Sequence, residues 1–154
     1  MRMATPEDST RIAELTWDLN FHHVSYHPIY HVKENASVAL AYVKDKIEKS
    51  MSGDGLVLVA QDDDIVGFLS CSIMDRGNPN WEIRRLGHIG PVYVIPEYRR
   101  RGIAAAMIKA ALKWMKNREV EYVDLNVVVK NAAAIAAWAA LGFEPVSYNF
   151  IQKL

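Results

Sequence analysis

The stretch Tyr98-Arg-Arg-Arg-Gly-Ile-Ala-Ala-Ala-Met107 (YRRRGIAAAM) sets three cations and a glycine ahead of small residues that read as the first turn of a helix. The first amides of any helix lack internal partners and, with the helix dipole, form an anion site. Gly102 permits a positive φ and a close approach, Ala104 keeps the next contact small, and Arg99, Arg100 and Arg101 add charge-assisted hydrogen bonds. A pyrophosphate suits this arrangement; the alternative is a simple turn with solvated arginines. Two general phosphate motifs do not fit, because no Lys-Ser or Lys-Thr follows a second glycine and no three spaced glycines precede an acid.

Outward from that turn, the chain alternates helical and extended patterns. Met1 to Ala4 suggests a short strand. Thr5 suits an N-cap with Pro6 at the first helical position and Glu7 and Asp8 in the positive end. Ile12, Leu15 and Leu19 give that helix one apolar face, to about Phe21, and a second helix runs from Asn35 toward Ser50 through Val38, Tyr42 and Ile47. Gly55 to Ala60 (GLVLVA) reads as a strand, Asp62 to Asp64 as a turn and Ile65 to Met74 as the hairpin partner. A strand from about Ile83 to Ile95 leads into the helix Gly102 to Asn117. Then follow strand Tyr122 to Val129, helix Ala132 to Leu141 and a last strand Pro145 to Ile151. The predicted order is βααβββαβαβ, an α/β domain with a mixed sheet, and no linker or repeat divides residues 1–154.

The totals limit the function classes. A chain of 154 residues holds one core, and its 18 Lys and Arg balance its 18 Asp and Glu. Without a cationic field, neither nucleic acid nor an anionic membrane is an expected partner. The single cysteine, Cys71, excludes an internal disulfide, no leader pattern is present, and no apolar run approaches the roughly 20 residues of a span, so a cytoplasmic protein is expected.

Arg99-x-x-Gly102-x-Ala104 resembles the loop that binds the pyrophosphate of coenzyme A in the GNAT superfamily of N-acetyltransferases. Val92-Tyr93-Val94-Ile95-Pro96-Glu97-Tyr98-Arg99 is similar to that family's strand leading into the loop, and Leu125 to Phe143 (LNVVVKNAAAIAAWAALGF) to its later strand, Asn and alanine-rich helix. The resemblance implies the GNAT-like acyl-CoA N-acyltransferase fold with acetyl-CoA as acetyl donor and no metal. It implies backbone contacts from Val92, Tyr93 and Val94 to the pantetheine, where Gly90-Pro91 would supply a bulge. The amides from Arg100 through Ile103 and Ala104 to Ala105 would take the pyrophosphate, and Asn131 and Trp138 would lie near the cofactor.

Acetyl transfer needs a neutral amine, yet an alkylamine with a pKa near 10.4 is only about 0.04% neutral at pH 7, a deficit of about 4.6 kcal/mol. His88, on the same strand and eleven residues before Arg99, is the candidate base, since imidazole accepts a proton near neutrality. Glu82 shares its expected strand parity and is a weaker candidate. Relatives often carry a Tyr acid where this chain has Trp138, whose indole is no practical proton donor; Tyr148 is one substitute and solvent is another. The segment FHHVSYHPIYH, Phe21 to His31, holds four of the five histidines. In the resembling fold this region walls the acceptor pocket, which nominates His22, His23, Tyr26, His27 and Tyr30. The four-residue spacing of His23, His27 and His31 would suit a metal on an unbroken helix, but Pro28 opposes that helix. The expected function is acetylation of a primary amine on a small molecule, a peptide N-terminus or a lysine. A non-catalytic acyl-CoA binding or sensing module is the alternative, and the last strand with its edge makes a homodimer plausible.

Overall fold

A computed structural model of the chain describes residues 1–32, 35–53 and 55–153. Strand β1 (Arg2–Met3) leads through a 3-10 turn (Pro6–Asp8) into α1 (Ser9–Val24), and a second 3-10 turn (Pro28–Tyr30) precedes α2 (Ala36–Ser52). Strands β2 (Gly55–Gln61), β3 (Ile65–Asp75) and β4 (Arg85–Val94) follow, then a 3-10 turn (Pro96–Tyr98), α3 (Ile103–Lys116), β5 (Tyr122–Leu125) and α4 (Ala132–Ala140). The sheet order is β1-β2-β3-β4-β5, antiparallel except for the parallel β4–β5 pair.

GLVLVA is apolar at every position because both faces of β2 are covered. Leu56, Leu58 and Ala60 join the core on the α3 side, with Met107, Ile108, Ala111 and Met115. Val57 and Val59 pack on the other face with Ile12, Leu15, Val43 and Ile47 of α1 and α2. The helix ends follow local chemistry: Asn35 accepts a hydrogen bond from the Val38 amide (3.2 Å), and Gly53 closes α2 with φ 94°. At the other end of the core the Asp8 carboxylate accepts from the Thr5 amide (2.8 Å) and from both Arg2 NH groups (2.6 and 2.9 Å).

Four boundaries differ from the sequence reading. The first helix runs past Phe21 to Val24, and a separate 3-10 turn starts at Pro28, so the three histidines spaced by four do not share one helix. β4 starts at Arg85 rather than Ile83; Glu82 therefore lies exposed in the connecting loop, which closes through Arg76 N–H to Arg84 O (2.9 Å), and strand parity does not relate it to His88. β5 ends at Leu125 rather than Val129, where its pairing with β4, the one partner it has among the described residues, stops. The last strand does not form: residues 144–153 carry no strand hydrogen bonding and stand exposed, with Val146 at 85% and Phe150 at 95% exposure. A strand pattern becomes a strand only when its backbone groups pair with a neighbouring edge, and among the described residues this segment pairs with none.

Candidate active site

The departure of β4 from β5 has a local cause. Leu69 of β3 pairs with Val92 and Cys71 pairs with Ile89, so Gly90 and Pro91 together stand opposite Ser70 and make the expected bulge. Pairing between β4 and β5 ends at Ile89 and Leu125, immediately before it. Beyond the bulge, Val92 to Val94 still pair with β3 on one side and, among the described residues, have no strand on the other. A ligand amide chain can add there as a strand would.

Past the end of β4, the phosphate turn takes the shape its composition suggested. Gly102 caps α3 with φ 78° and Arg100 also has a positive φ of 62°. The first intrahelical bond runs from Ala106 N–H to Gly102 O (2.9 Å), which leaves the amides of Ile103, Ala104 and Ala105 without intrahelical acceptors. A Cβ at Gly102 would meet no protein atom within 4 Å, so glycine is needed here for its backbone conformation, and the space beside it is open. Two arginines fold back on the protein: Arg99 donates Nε to Val94 O (2.8 Å) and Arg101 donates to Glu97 O (2.9 Å) while lying 4.9 Å over the Tyr98 ring. The Tyr98 hydroxyl donates to Asp62 (2.8 Å), a bond that raises the phenol pKa. Arg100 makes no hydrogen bond among the described residues, which leaves its guanidinium for an incoming anion.

His88 stands at the other end of the opening. Its neighbours across the sheet are Ser72 on β3 and Asp124 on β5, and its Nδ1 lies 2.7 Å from Asp124 Oδ1. In the neutral form of the imidazole, a carboxylate acceptor at this position puts the proton on Nδ1 and leaves Nε2 with a free lone pair. This is the tautomer a general base requires. The ring is about a quarter exposed and lines a cavity of about 370 Å³ with Gly90, Pro91, Ser70 and Cys71 from the sheet and Tyr42, Lys46 and Lys49 from α2. Asp124 escaped the sequence reading because nothing local marks an acid in a four-residue strand; only the parallel register puts it beside His88. Cys71 lines the same cavity, but burial pushes its thiol up to about 12, so it is not a nucleophile at neutral pH.

The sequence profile of the acetyltransferase (GNAT) family matches residues 12–143. This chain is a GNAT acetyltransferase family member. The GNAT chain is 43% identical over 63 residues to an N-alpha-acetyltransferase of Saccharolobus solfataricus, covering 40% of this chain and 38% of that one. It is 32% identical over 92 residues to an aminoglycoside N(6')-acetyltransferase type 1 of Klebsiella aerogenes, covering 60% of each. The match thus spans less than two thirds of the length of these relatives. By shape, it superposes on a mutant of the BH1408 protein from Bacillus halodurans with a TM-score of 0.87 at 20% identity, covering 99% of this chain and 98% of that one. It also superposes on a predicted acetyltransferase with acetyl-CoA from Clostridium acetobutylicum at 0.76 and 15% identity, covering 99% and 94%.

In this GNAT chain the remaining expected site residues are spread over three places. Asn131 caps α4, its carboxamide oxygen accepting from the Ala134 amide (3.1 Å), which leaves its NH2 as a donor. Trp138 packs edge-on against Phe143, ring centres 5.3 Å apart, at the margin of the α3-side core. The five residues nominated from the histidine-rich segment gather at the end of α1. Tyr26 and His22 lie 3.0 Å apart, His23 is 5.8 Å from the Tyr30 ring, and His27 caps the 3-10 turn through Ile29 N–H. None of them lines the cavity at His88. Lys130, next to Asn131, donates to Tyr26 O (3.1 Å) and ties that segment to the entry of α4. Tyr148 is 72% exposed in the terminal segment, without a hydrogen bond among the described residues. No helix of the described residues is long and apolar enough to cross a membrane, and no cluster of three metal-ligating side chains occurs among them.

Proposed function

We propose that this chain moves the acetyl group of acetyl-CoA to a primary amine by direct attack with both substrates bound. The observation that carries the proposal is the His88–Asp124 pair, held at a cavity beside the point where β4 and β5 part. Acetyl-CoA supplies an activated thioester. The amides of Ile103 to Ala105 and the Arg100 guanidinium bind the pyrophosphate, and the free edge of Val92 to Val94 holds the pantetheine amides in strand fashion. Asn131 adds a donor from the start of α4. His88 Nε2 takes the ammonium proton of the acceptor, directly or through water, and Asp124 steadies the imidazolium that forms. The amine nitrogen then bonds to the acetyl carbon as the carbon–sulfur bond breaks, and the proton that the new amide nitrogen sheds passes through solvent to the leaving thiolate, giving an N-acetylamine and CoA. With Cys71 held as a thiol, no acyl-enzyme step is invoked.

The relatives named above point to small-molecule amines and peptide N-termini as acceptor classes. Lys46 and Lys49 on the cavity wall disfavour a polycation, and Lys46 is the freer of the two because Lys49 pairs with Asp45 (2.8 Å). A neutral or acidic amine, including a peptide N-terminus, fits better. The histidine-rich segment, tied to the α4 entry through Lys130, would contact the more distant part of such an acceptor. Trp138 in place of a Tyr acid supports the second reading, an acyl-CoA binding module without transfer.

Calorimetry with acetyl-CoA, paired with thiol release over a panel of amines, tests both readings. The wild type should bind, Gly102→Glu should not, and His88→Ala should bind normally but turn over about 100-fold more slowly. Equal turnover by His88→Ala would remove the base assignment. Binding by the wild type with no amine acetylated would leave the binding module, and no binding at all would overturn both.

A further inference from the structure

The cavity at His88 carries a charge pattern that acetyl transfer does not by itself require. Its α2 wall presents Tyr42, Lys46 and Lys49, spaced by four and three residues and so aligned along one flank of the helix, beside the buried Val43, Ile47 and Ser50. Lys49 is exposed and paired with Asp45 (2.8 Å). Lys46 is partly buried, has no acidic partner among the described residues, and holds its ammonium 5.4 Å from the centre of the Tyr42 ring. No carboxylate lines the cavity among the described residues. The nearby acid is Asp124, behind His88 on β5. The site therefore has a positive wall on α2 and a negative end on β5.

The floor between them is hydroxylic. Ser70 and Ser72 lie on one face of β3, about 7 Å apart by strand rise. Ser72 stands between His88 of β4 and Gly55 of β2, which adds no side chain to the floor. Ser70 is only 7% exposed, yet its hydroxyl makes no hydrogen bond among the described residues. Its oxygen points at the bulge, where a Cβ on Gly90 would come within 3.1 Å of it. A buried hydroxyl without a partner is costly unless a ligand or water supplies one, and this one borders the cavity.

We propose that the acceptor is a free amino acid bound as its zwitterion, with the carboxylate on the Lys46 ammonium and the Ser70 hydroxyl and the amine toward His88 and Asp124. This names the acceptor of the transfer proposed above and rests on that reading. An alkylamine arrives almost wholly as the ammonium. Alone, that ammonium would meet the unpaired Lys46 cation inside a cavity of about 370 Å³. A carboxylate on the same molecule turns the repulsion into an ion pair, and the dipole of the zwitterion then runs along the dipole of the site. A carboxamide or a peptide N-terminus brings no such group and would leave Lys46 and Ser70 unpaired; a site built to bond a polar group rejects the analogue that lacks it.

The test is thiol release with acetyl-CoA over the common L-amino acids, each beside its carboxamide, with calorimetry of the same pairs on the CoA-loaded protein. At least one amino acid should exceed its amide about 10-fold or more in kcat/KM. Lys46→Ala should raise KM for that amino acid about 10-fold with kcat within about two-fold, Lys46→Arg should recover most of the loss, and Ser70→Ala should cost a few-fold. Lys44→Ala, exposed on α2 and outside the cavity, should keep the preference. Amides or peptide N-termini turned over as well as the amino acids would overturn the zwitterion and leave the transfer standing. An amino acid that binds the CoA-loaded protein but is never acetylated would overturn the transfer and support the carboxylate site. A preference that survives Lys46→Ala, or no amino acid bound or acetylated, overturns the proposal.

Discussion

At the scale of single residues, the site depends on who stands beside whom across the sheet. Asp124 holds His88 in the tautomer that leaves Nε2 free, at 2.7 Å. As a positioning residue it should act on turnover: Asp124→Asn is expected to lower kcat about 10-fold or more while the acetyl-CoA dissociation constant stays within about two-fold, measured by steady-state kinetics and calorimetry. A parallel loss of cofactor affinity would mean that Asp124 only supports the fold. Cys71 is the opposite case, a residue on the cavity wall that the proposed transfer does not use. With its thiol pushed up to about 12, about one molecule in 10⁵ carries the thiolate at pH 7. Cys71→Ala should keep at least about half of wild-type kcat, and native iodoacetamide treatment should leave activity unchanged over an hour. Rapid inactivation by alkylation would show that the cavity opens.

At the scale of elements, β4 does the positioning, and it is held from behind by β3. Gly67 of β3 lies so close to β4 that a Cβ there would sit 2.7 Å from the Tyr93 carbonyl oxygen and 3.0 Å from a Val94 methyl. Backbone cannot yield as a flexible side chain can, so Gly67→Ala should push β4 outward at the residues proposed to offer the pantetheine edge. A destabilisation of about 1–3 kcal/mol in urea unfolding is expected, with a several-fold weaker acetyl-CoA affinity in the protein that remains folded. Unchanged affinity would mean that Val92 to Val94 do not carry the ligand. The bulge at Gly90-Pro91, the start of α2 near Asn35 and the glycine start of α3 were all legible from residue types, because each is a local demand on backbone conformation. The ends of β4 and β5 were not, since a strand ends where its neighbour leaves and the neighbour is remote in sequence.

At the scale of the whole molecule, the chain's two ends behave differently. The amino-terminal end is locked to the body: Asp8 accepts both Arg2 NH groups and the Thr5 amide, joining β1 to the start of α1. The Arg2 hydrogen bond holds the Asp8 carboxyl below its ordinary range. A folded-state pKa below the unfolded one adds stability above the unfolded value, near pH 4, and that stability is lost as pH falls through the depressed folded value. Asp8→Asn should therefore cost about 1–2 kcal/mol at pH 7, and the gap to the wild type should narrow below about pH 4, measured by urea unfolding at pH 7 and pH 3. A gap that does not depend on pH would assign the loss to packing. The carboxyl-terminal end, by contrast, makes no strand pairing among the described residues, with Val146 85% and Phe150 95% exposed.

The sequence by itself determined the features that live within a few residues: the glycine turn and its cations, the alternation that makes each helix and strand, the bulge, and through these the family. These depend on backbone sterics and side-chain periodicity, which act locally. Only the tertiary structure decided that Asp124 partners His88, that Glu82 lies in a loop away from the strand, that α2 rather than the histidine-rich segment lines the cavity, and that residues 144–153 join no strand of the described residues. Those are matters of register and pairing between strands far apart in the chain, and hydrogen bonds between distant edges leave no mark on the residues that happen to make them.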